Sequence, residues 1–262
     1  MWAGACLAVG FAPARAEPTP YQPADAAFAR AVADDAGLRA ELHRLRGAIE
    51  ARDMAALDAA LAADFALLTC GTDPTKPCAE GAKGAVPASG KTAKERLRAG
   101  LCCGDMPKKE ITEAVRVETV LGLVGALLAE ESIAAHPALP GSACLPAPPV
   151  YDFAAAAAIA RAADVEPANL RVTSGEAVLR QKPDAAAPEA ARLPAGRLAP
   201  LATLGQEGLA PGWIAIALPQ GGLGFTRDLV FEELAAPGLC LTKNASGAWK
   251  IRLITQRKDE NE

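Results

Sequence analysis

The stretch Ala177–Val230, "AVLRQKPDAAAPEAARLPAGRLAPLATLGQEGLAPGWIAIALPQGGLGFTRDLV", decides how the second half of this chain folds. Short apolar runs are cut every few positions by Gly, Pro or Asp, the pattern of brief strands stitched by tight turns. Leu179, Leu193, Leu198, Trp213, Ile214, Leu218, Phe225 and Leu229 are the apolar positions expected to share one core. The reading names a small β-module, and by itself it names no reaction.

Val178-Leu179-Arg180 followed by Pro183, then Leu193-Pro194-Ala195-Gly196, Gly212-Trp213 and Gly221-Gly222-Leu223-Gly224-Phe225 stand in an order that resembles the bacterial SH3 (SH3b) family. The resemblance implies a small SH3-like β-barrel over residues 169–236 that contacts a peptide, a protein or the cell wall. Phe225 stands where that family usually has Trp, and Val178 where it often has Asn. Trp213, Phe225 and Phe231 are the aromatic side chains such a module offers, and they are the candidate ligand-binding residues.

A length of 262 residues and a hydrophobic share of 51% suffice for one large or two modest domains with a buried core. Aromatics are only 4%, and much of the apolar share is Ala, which favours helix and small contacts. The net charge of -4 is spread in mixed sign, with no basic block to attract a polyanion, so nucleic acid is not an expected partner. The run Val120–Ala129 is roughly half the ~20 residues that cross a bilayer, so no transmembrane helix is expected in the mature chain.

The chain opens "MWAGACLAVGFAPARAEPTP", an apolar stretch closing on Ala14-Arg15-Ala16, with small residues at both positions a signal peptidase reads. Residues 1–16 are therefore expected to be a signal peptide, cleaved before Glu17, with a periplasmic or secreted product. Export places Cys70, Cys78, Cys102, Cys103, Cys144 and Cys240 in an oxidising compartment, where disulfides are expected. Cys70 and Cys78 enclose "GTDPTKP", a turn-rich loop that suits a local bridge. The full connectivity stays open. No pair has the C-x2-C spacing of a zinc site and neither histidine lies by a cysteine cluster, so no metal or other cofactor is expected.

Residues 17–168 read as a helix-rich domain. Leu38, Leu42, Leu45 and Ile49 recur at helical spacing, and Asp53 is placed to cap a second helix ending near Asp64-Phe65. A short helix is expected over Lys91–Ala99. A long one should follow Asp105 and Pro107 with Ile111, Val115, Val120, Val124 and Leu127 on one face, and an Ala-rich one should run from Asp152 to about Asp164. Residues 237–256 read as a terminal hairpin around Asn244–Gly247, followed by a polar tail at 257–262. "LRGAIEARDMAALDAALAADFALL" and "CLTKNASGAWKIRLI" resemble the opening helices and closing hairpin of NTF2-like (SnoaL-type) cone domains. That resemblance implies that the β-module interrupts the first domain before its last hairpin. Between those two ends few strand signals are found, so the expectation is α+β: a helix-rich N-terminal domain, a small SH3-like β-barrel and a C-terminal β-hairpin, with the cone as the alternative.

Catalytic patterns are sparse. Ala85–Thr92 matches [AG]-x4-G-K-[ST], yet "AEGAKG" before it cannot be a buried strand and Pro87 removes an amide that a phosphate cradle needs. Cys102-Cys103 and His136 carry the residue types of a thiol hydrolase without a helix N-terminus behind the thiol. His43 falls on the polar side of the first helix. An NTF2-like acid/base site would draw on Asp64 with Tyr21 or Tyr151. Binding without catalysis is thus the expected role, with a small-molecule or acid/base pocket in the N-terminal domain as the alternative.

Overall fold

The computed structural model describes residues 18–28, 32, 35–71, 73–76, 92–101, 107–136, 139–202, 208–234 and 236–258. The leader, Cys78, Cys102, Cys103 and all but the last residue of the Ala85–Thr92 motif lie outside the described residues, as does the side chain of Cys70.

A short strand β1 (Ala27–Phe28) precedes helix α1 (Ala36–Glu50), which starts where the Asp35 carboxylate accepts the Leu38 N–H and buries Leu38, Leu42, Leu45 and Ala48. Asp53 caps α2 (Met54–Ala60) as expected, accepting the Ala56 N–H. The helix then stops at Ala60, and the chain continues directly as strand β2 (Leu61–Gly71). The expected helical end at Asp64-Phe65 is therefore a strand, in which Phe65 and Leu67 are buried and Asp64 is exposed. Parallel pairing of β2 with the last strand of the chain overrides the helical preference of its alanines.

Helix α3 (Ala93–Leu101) opens on a reciprocal cap in which Thr92 and Glu95 each bond the other's backbone N–H. Pro107 leads only into a single tight turn, and α4 (Glu113–Ala129) begins after Thr112, which caps it. Val120, Val124 and Leu127 are buried along α4, whereas Ile111 and Val115 are only partly covered. Strands β3 (Ala134–His136), β4 (Leu139–Leu145) and β5 (Pro149–Val150) follow, and then α5 (Phe153–Ala162), capped by Asp152 as the sequence predicts.

The module comprises β6 (Leu170–Thr173), β7 (Ala177–Arg180), β8 (Glu189–Leu193), β9 (Leu198–Pro200), β10 (Ile214–Ala217), β11 (Leu223–Thr226) and β12 (Phe231–Glu233). The terminal hairpin is β13 (Gly238–Lys243) and β14 (Trp249–Lys258). β14 reaches beyond the expected hairpin end, because Arg257 and Lys258 pair with Cys70 and Gly71 rather than trailing as a tail.

The molecule is mixed α and β. A five-stranded sheet in the order β2-β14-β13-β4-β3 forms its platform, parallel between β2 and β14 and antiparallel elsewhere. The N-terminal part is thus more than helical, and the hairpin supplies two inner strands of its sheet rather than packing against it. Helices α1 to α4 and this sheet share one core, with Leu45, Leu57, Phe65, Leu97 and Leu128 fully enclosed. Cys144 of β4 and Cys240 of β13 face each other in register and form a disulfide across 96 residues.

The module lies between these two cysteines. Its strands form two sheets, β12-β6-β9 and β10-β11-β7-β8, joined by the bridge Leu201–Ile216, and they do not close into a barrel among the described residues. Ala177, Leu179, Leu193, Ala199, Ile216 and Leu218 form its core. Leu198 turns instead into a second cluster with α5, and Leu229, expected inside, is 96% exposed. Asp228 explains that exposure: its carboxylate accepts the Val178 N–H and its own N–H goes to Thr226 Oγ1, holding residues 227–230 out of strand alternation.

Candidate functional site

The outer face of β10 and β11 is set by strand alternation. Gly224 and Thr226 are buried inward, and a Cβ at Gly224 would lie 2.9 Å from Leu179 and Leu218 atoms. Phe225 therefore points outward, paired with Ala215 on one side and Arg180 on the other. Trp213 precedes β10 by one residue and shares this face; the Arg227 guanidinium lies 4.9 Å over its ring. At 8% exposure Trp213 is buried, but it lies outside the module's core cluster. Phe231 belongs to the other sheet, opposite Thr173, where it packs against that core. Of the three aromatic candidates, the fold brings Trp213 and Phe225 to one face and leaves Phe231 elsewhere.

Cations border the aromatic pair. Arg180 donates to the Ala187 carbonyl at 3.0 Å, and Arg192 pairs with Glu176 at 2.5 Å and Glu189 at 2.9 Å. These carboxylates raise the Arg192 pKa, the Glu189 hydrogen bond most of all. The surface is amphipathic, with mixed charge around a half-buried Phe.

The residue types of catalysis are dispersed. Asp64 lies on β2 rather than at a helix end or in a loop; it is exposed and ion-paired to Arg252 at 3.0 Å. Tyr21 donates to the Ala217 carbonyl at 3.0 Å, and burial pushes its phenol well above the ordinary range. Tyr151 donates to the Pro74 carbonyl at 2.7 Å. His136 ends β3 instead of standing in a loop, and burial lowers its pKa. His43 is exposed on α1 as its helical position implies. Among the described residues no three His, Cys, Asp or Glu side chains cluster as a metal site would, and no helix is long and apolar enough to cross a membrane.

Two features escape a reading of the sequence. Arg96 is only 5% exposed, and its guanidinium donates to the carbonyls of Ala63 and Phe65 at 2.8 Å, covering the free edge of β2. An open groove lies between α1 and the β13–β14 turn, with Ala40, Glu41, Arg44, Gly247, Trp249 and Lys250 in its lining. Its cations serve the end of α2: Arg44 and Lys250 donate to the carbonyls of Ala56 and Ala59. Beside it Asp35 pairs with Lys243 at 2.7 Å and accepts the Trp249 indole N–H at 3.2 Å. Lys243, the Leu38 N–H and Trp249, in that order of effect, hold the Asp35 pKa down at about 2.

No protein-family model matches this chain, and neither a curated protein nor a solved structure matches it.

Proposed function

We propose that this is an exported, non-catalytic envelope protein whose SH3b-like module, residues 169–236, binds a cell-wall peptide or an envelope protein. The observation that carries the reading is the half-buried Phe225 beside the buried Trp213, on a sheet that has its own core on the opposite face. A half-buried aromatic flanked by arginines suits an extended peptide, which brings apolar side chains and backbone carbonyls to the same surface. The module enters and leaves the platform at neighbouring strands that the Cys144–Cys240 bridge joins, an arrangement suited to holding a binding unit on a rigid base.

The platform serves in this reading as an NTF2-like scaffold. Its support is the order of elements: two helices lead into the sheet, and the closing hairpin supplies inner strands of that sheet. Large side chains fill the space between helices and sheet, and the carboxylate suited to acid/base work, Asp64, faces solvent beside Arg252. A scaffold therefore accounts for this half of the chain better than an enzyme pocket.

Retention of the mature protein on peptidoglycan and on immobilised envelope proteins tests the proposal. Phe225→Asp should lower retention with little change in melting, and deletion of 169–236 should abolish it. Retention that survives the deletion, or turnover abolished by Asp64→Asn, would move the working site into the platform.

A further inference from the structure

The segment Pro18–Ala26, "PTPYQPADA", crosses the module far from its place in sequence, and it is held there chiefly by its backbone. Thr19 N–H donates to the Ala162 carbonyl at the end of α5, Tyr21 N–H to Pro219, and Ala26 N–H to Gly196, at 3.2, 2.9 and 2.6 Å. In return the Pro18 and Ala24 carbonyls accept the N–H groups of Gly222 and Leu198, at 3.2 and 3.0 Å. Pro18 and Tyr21 are buried and Ala24 is partly buried, whereas Thr19, Pro20, Gln22 and Pro23 face solvent. From Pro18 to Ala24 the inward residues recur at every third position, the period of a polyproline II chain, and the buried Ala26 ends that spacing.

The floor of this trough is shaped for a backbone. Gly196 has φ +82°, and a Cβ there would lie 2.6 Å from the Ala26 carbonyl oxygen. Gly221 has φ +91°, and a Cβ there would approach the Pro18 oxygen at 3.2 Å. Two turn glycines thus leave open the lane in which the segment runs. Between them Tyr21, 8% exposed, fills a socket among Ala156, Ile159, Leu198 and Ala217 and donates its hydroxyl to the Ala217 carbonyl.

We propose that this trough, bounded by the turns 194–197 and 218–222 and the end of α5, is a docking groove for extended Pro-x-Pro-Tyr peptides, with Pro18–Ala26 as its resident, competing occupant. Backbone pairing, the Tyr anchor, the Thr19 hydroxyl on the Ala162 carbonyl and the Asp25–Arg197 ion pair at 2.8 Å read an extended shape and a few side chains, so another segment of that chemistry meets the same donors and acceptors. Tethering gives the resident segment a high effective concentration, so a partner's peptide enters only by outcompeting it. The inference deepens the binding reading of the module and rests on it.

A protease site placed between Phe28 and Val32 of the full chain, followed by cleavage and addition of labelled PTPYQPADA peptide, tests it. The cut protein should release its own segment and take up the peptide saturably. The uncut chain should bind at least about tenfold more weakly, and so should the cut protein when offered the peptide with its Tyr changed to Ala. In the uncut chain Tyr21→Ala should increase peptide uptake, which a purely structural tyrosine would not do. A cut protein that keeps its segment against excess peptide, or that loses cooperative unfolding, together with no gain of uptake in Tyr21→Ala, would make the segment a permanent part of the core and overturn the proposal. Loss of peptide exchange with envelope retention intact removes this inference alone, whereas retention that survives deletion of 169–236 removes the binding reading itself.

Discussion

In the platform the enclosed side chains are large, Phe65, Leu57, Leu97 and Leu128 among them, while the module's own core is built from Ala177, Ala199, Leu179, Leu193, Ile216 and Leu218. Burial free energy scales with apolar area, about 25 cal/mol per Å2, so the platform has the larger reserve. The module makes up the difference from outside: α5 and the segment Pro18–Ala26 cover it through a second cluster, and the disulfide fixes its two ends. The module therefore depends on elements outside itself, while the platform's core is complete without it.

The largest effect should come from the platform. Phe65→Ala removes a fully enclosed ring and should cost about 3–5 kcal/mol, whereas Leu179→Ala in the module should cost about 2–3. Urea unfolding followed by tryptophan fluorescence checks both. Equal losses, or a larger loss at Leu179, would break the asymmetry.

Next in size is the bridge. Replacing Cys144 and Cys240 together by Ser frees a loop of 96 residues, and closing loops of that kind contributes about 2–4 kcal/mol. Because β4 and β13 remain paired by backbone, the variant should still fold, and the module should show the earlier proteolysis. If the two halves became susceptible together, the module would not be the more dependent region.

Within the module, Trp213 tests how much of the stability comes from outside the core. Its ring lies outside the core cluster and is covered by Arg227, so Trp213→Ala should cost about 2–3 kcal/mol, less than a fully enclosed aromatic. Arg227→Gln should cost only about 0.5–1 kcal/mol, the range of an exposed cation–π contact. Thermal melts of the two variants and their double mutant measure the coupling. An additive double mutant would mean that the guanidinium contributes nothing to the ring.

The parts of this fold that the sequence made legible are those governed by neighbours in sequence. Asp53 and Asp152 cap helices because a carboxylate reaches N–H groups three residues on, and the Asn244–Gly247 turn forms between alternating strands. What stayed hidden depends on distant partners. The start of β2, up to Phe65, reads as helix because Leu61-Ala62-Ala63 continues the Ala-rich run of α2, and only β14, nearly two hundred residues later in the chain, makes it a strand. β4 carries Pro140 and Gly141 and lacks alternation, since its last four residues are all buried. At the candidate site Trp213 and Phe225, expected in the module's core, both lie outside its core cluster, and the seat of Pro18–Ala26 was not legible either. Its residues carry no helix or strand period, and Tyr21 acquires meaning only from Ala217.

The smallest expected effect tests how the two ends of the platform are tied. Asp35 joins the start of α1 to the hairpin through Lys243 and Trp249, and its pKa is held at about 2, below the ordinary value of about 3.9. A depressed carboxylate contributes stability that is fully present above the unfolded-state pKa and is lost as pH falls toward the folded-state value. The loss should therefore fall between about pH 4 and pH 2. Asp35→Asn keeps a side-chain oxygen that can cap α1 and removes the charge facing Lys243. The variant should be slightly less stable than wild type at neutral pH, and the gap should close through that acid window. Salt should shrink the gap, since the pair is exposed to solvent. Parallel stability curves from pH 7 to pH 2 would mean that Asp35 acts only as a helix cap, leaving the ends of the platform joined by strand pairing alone.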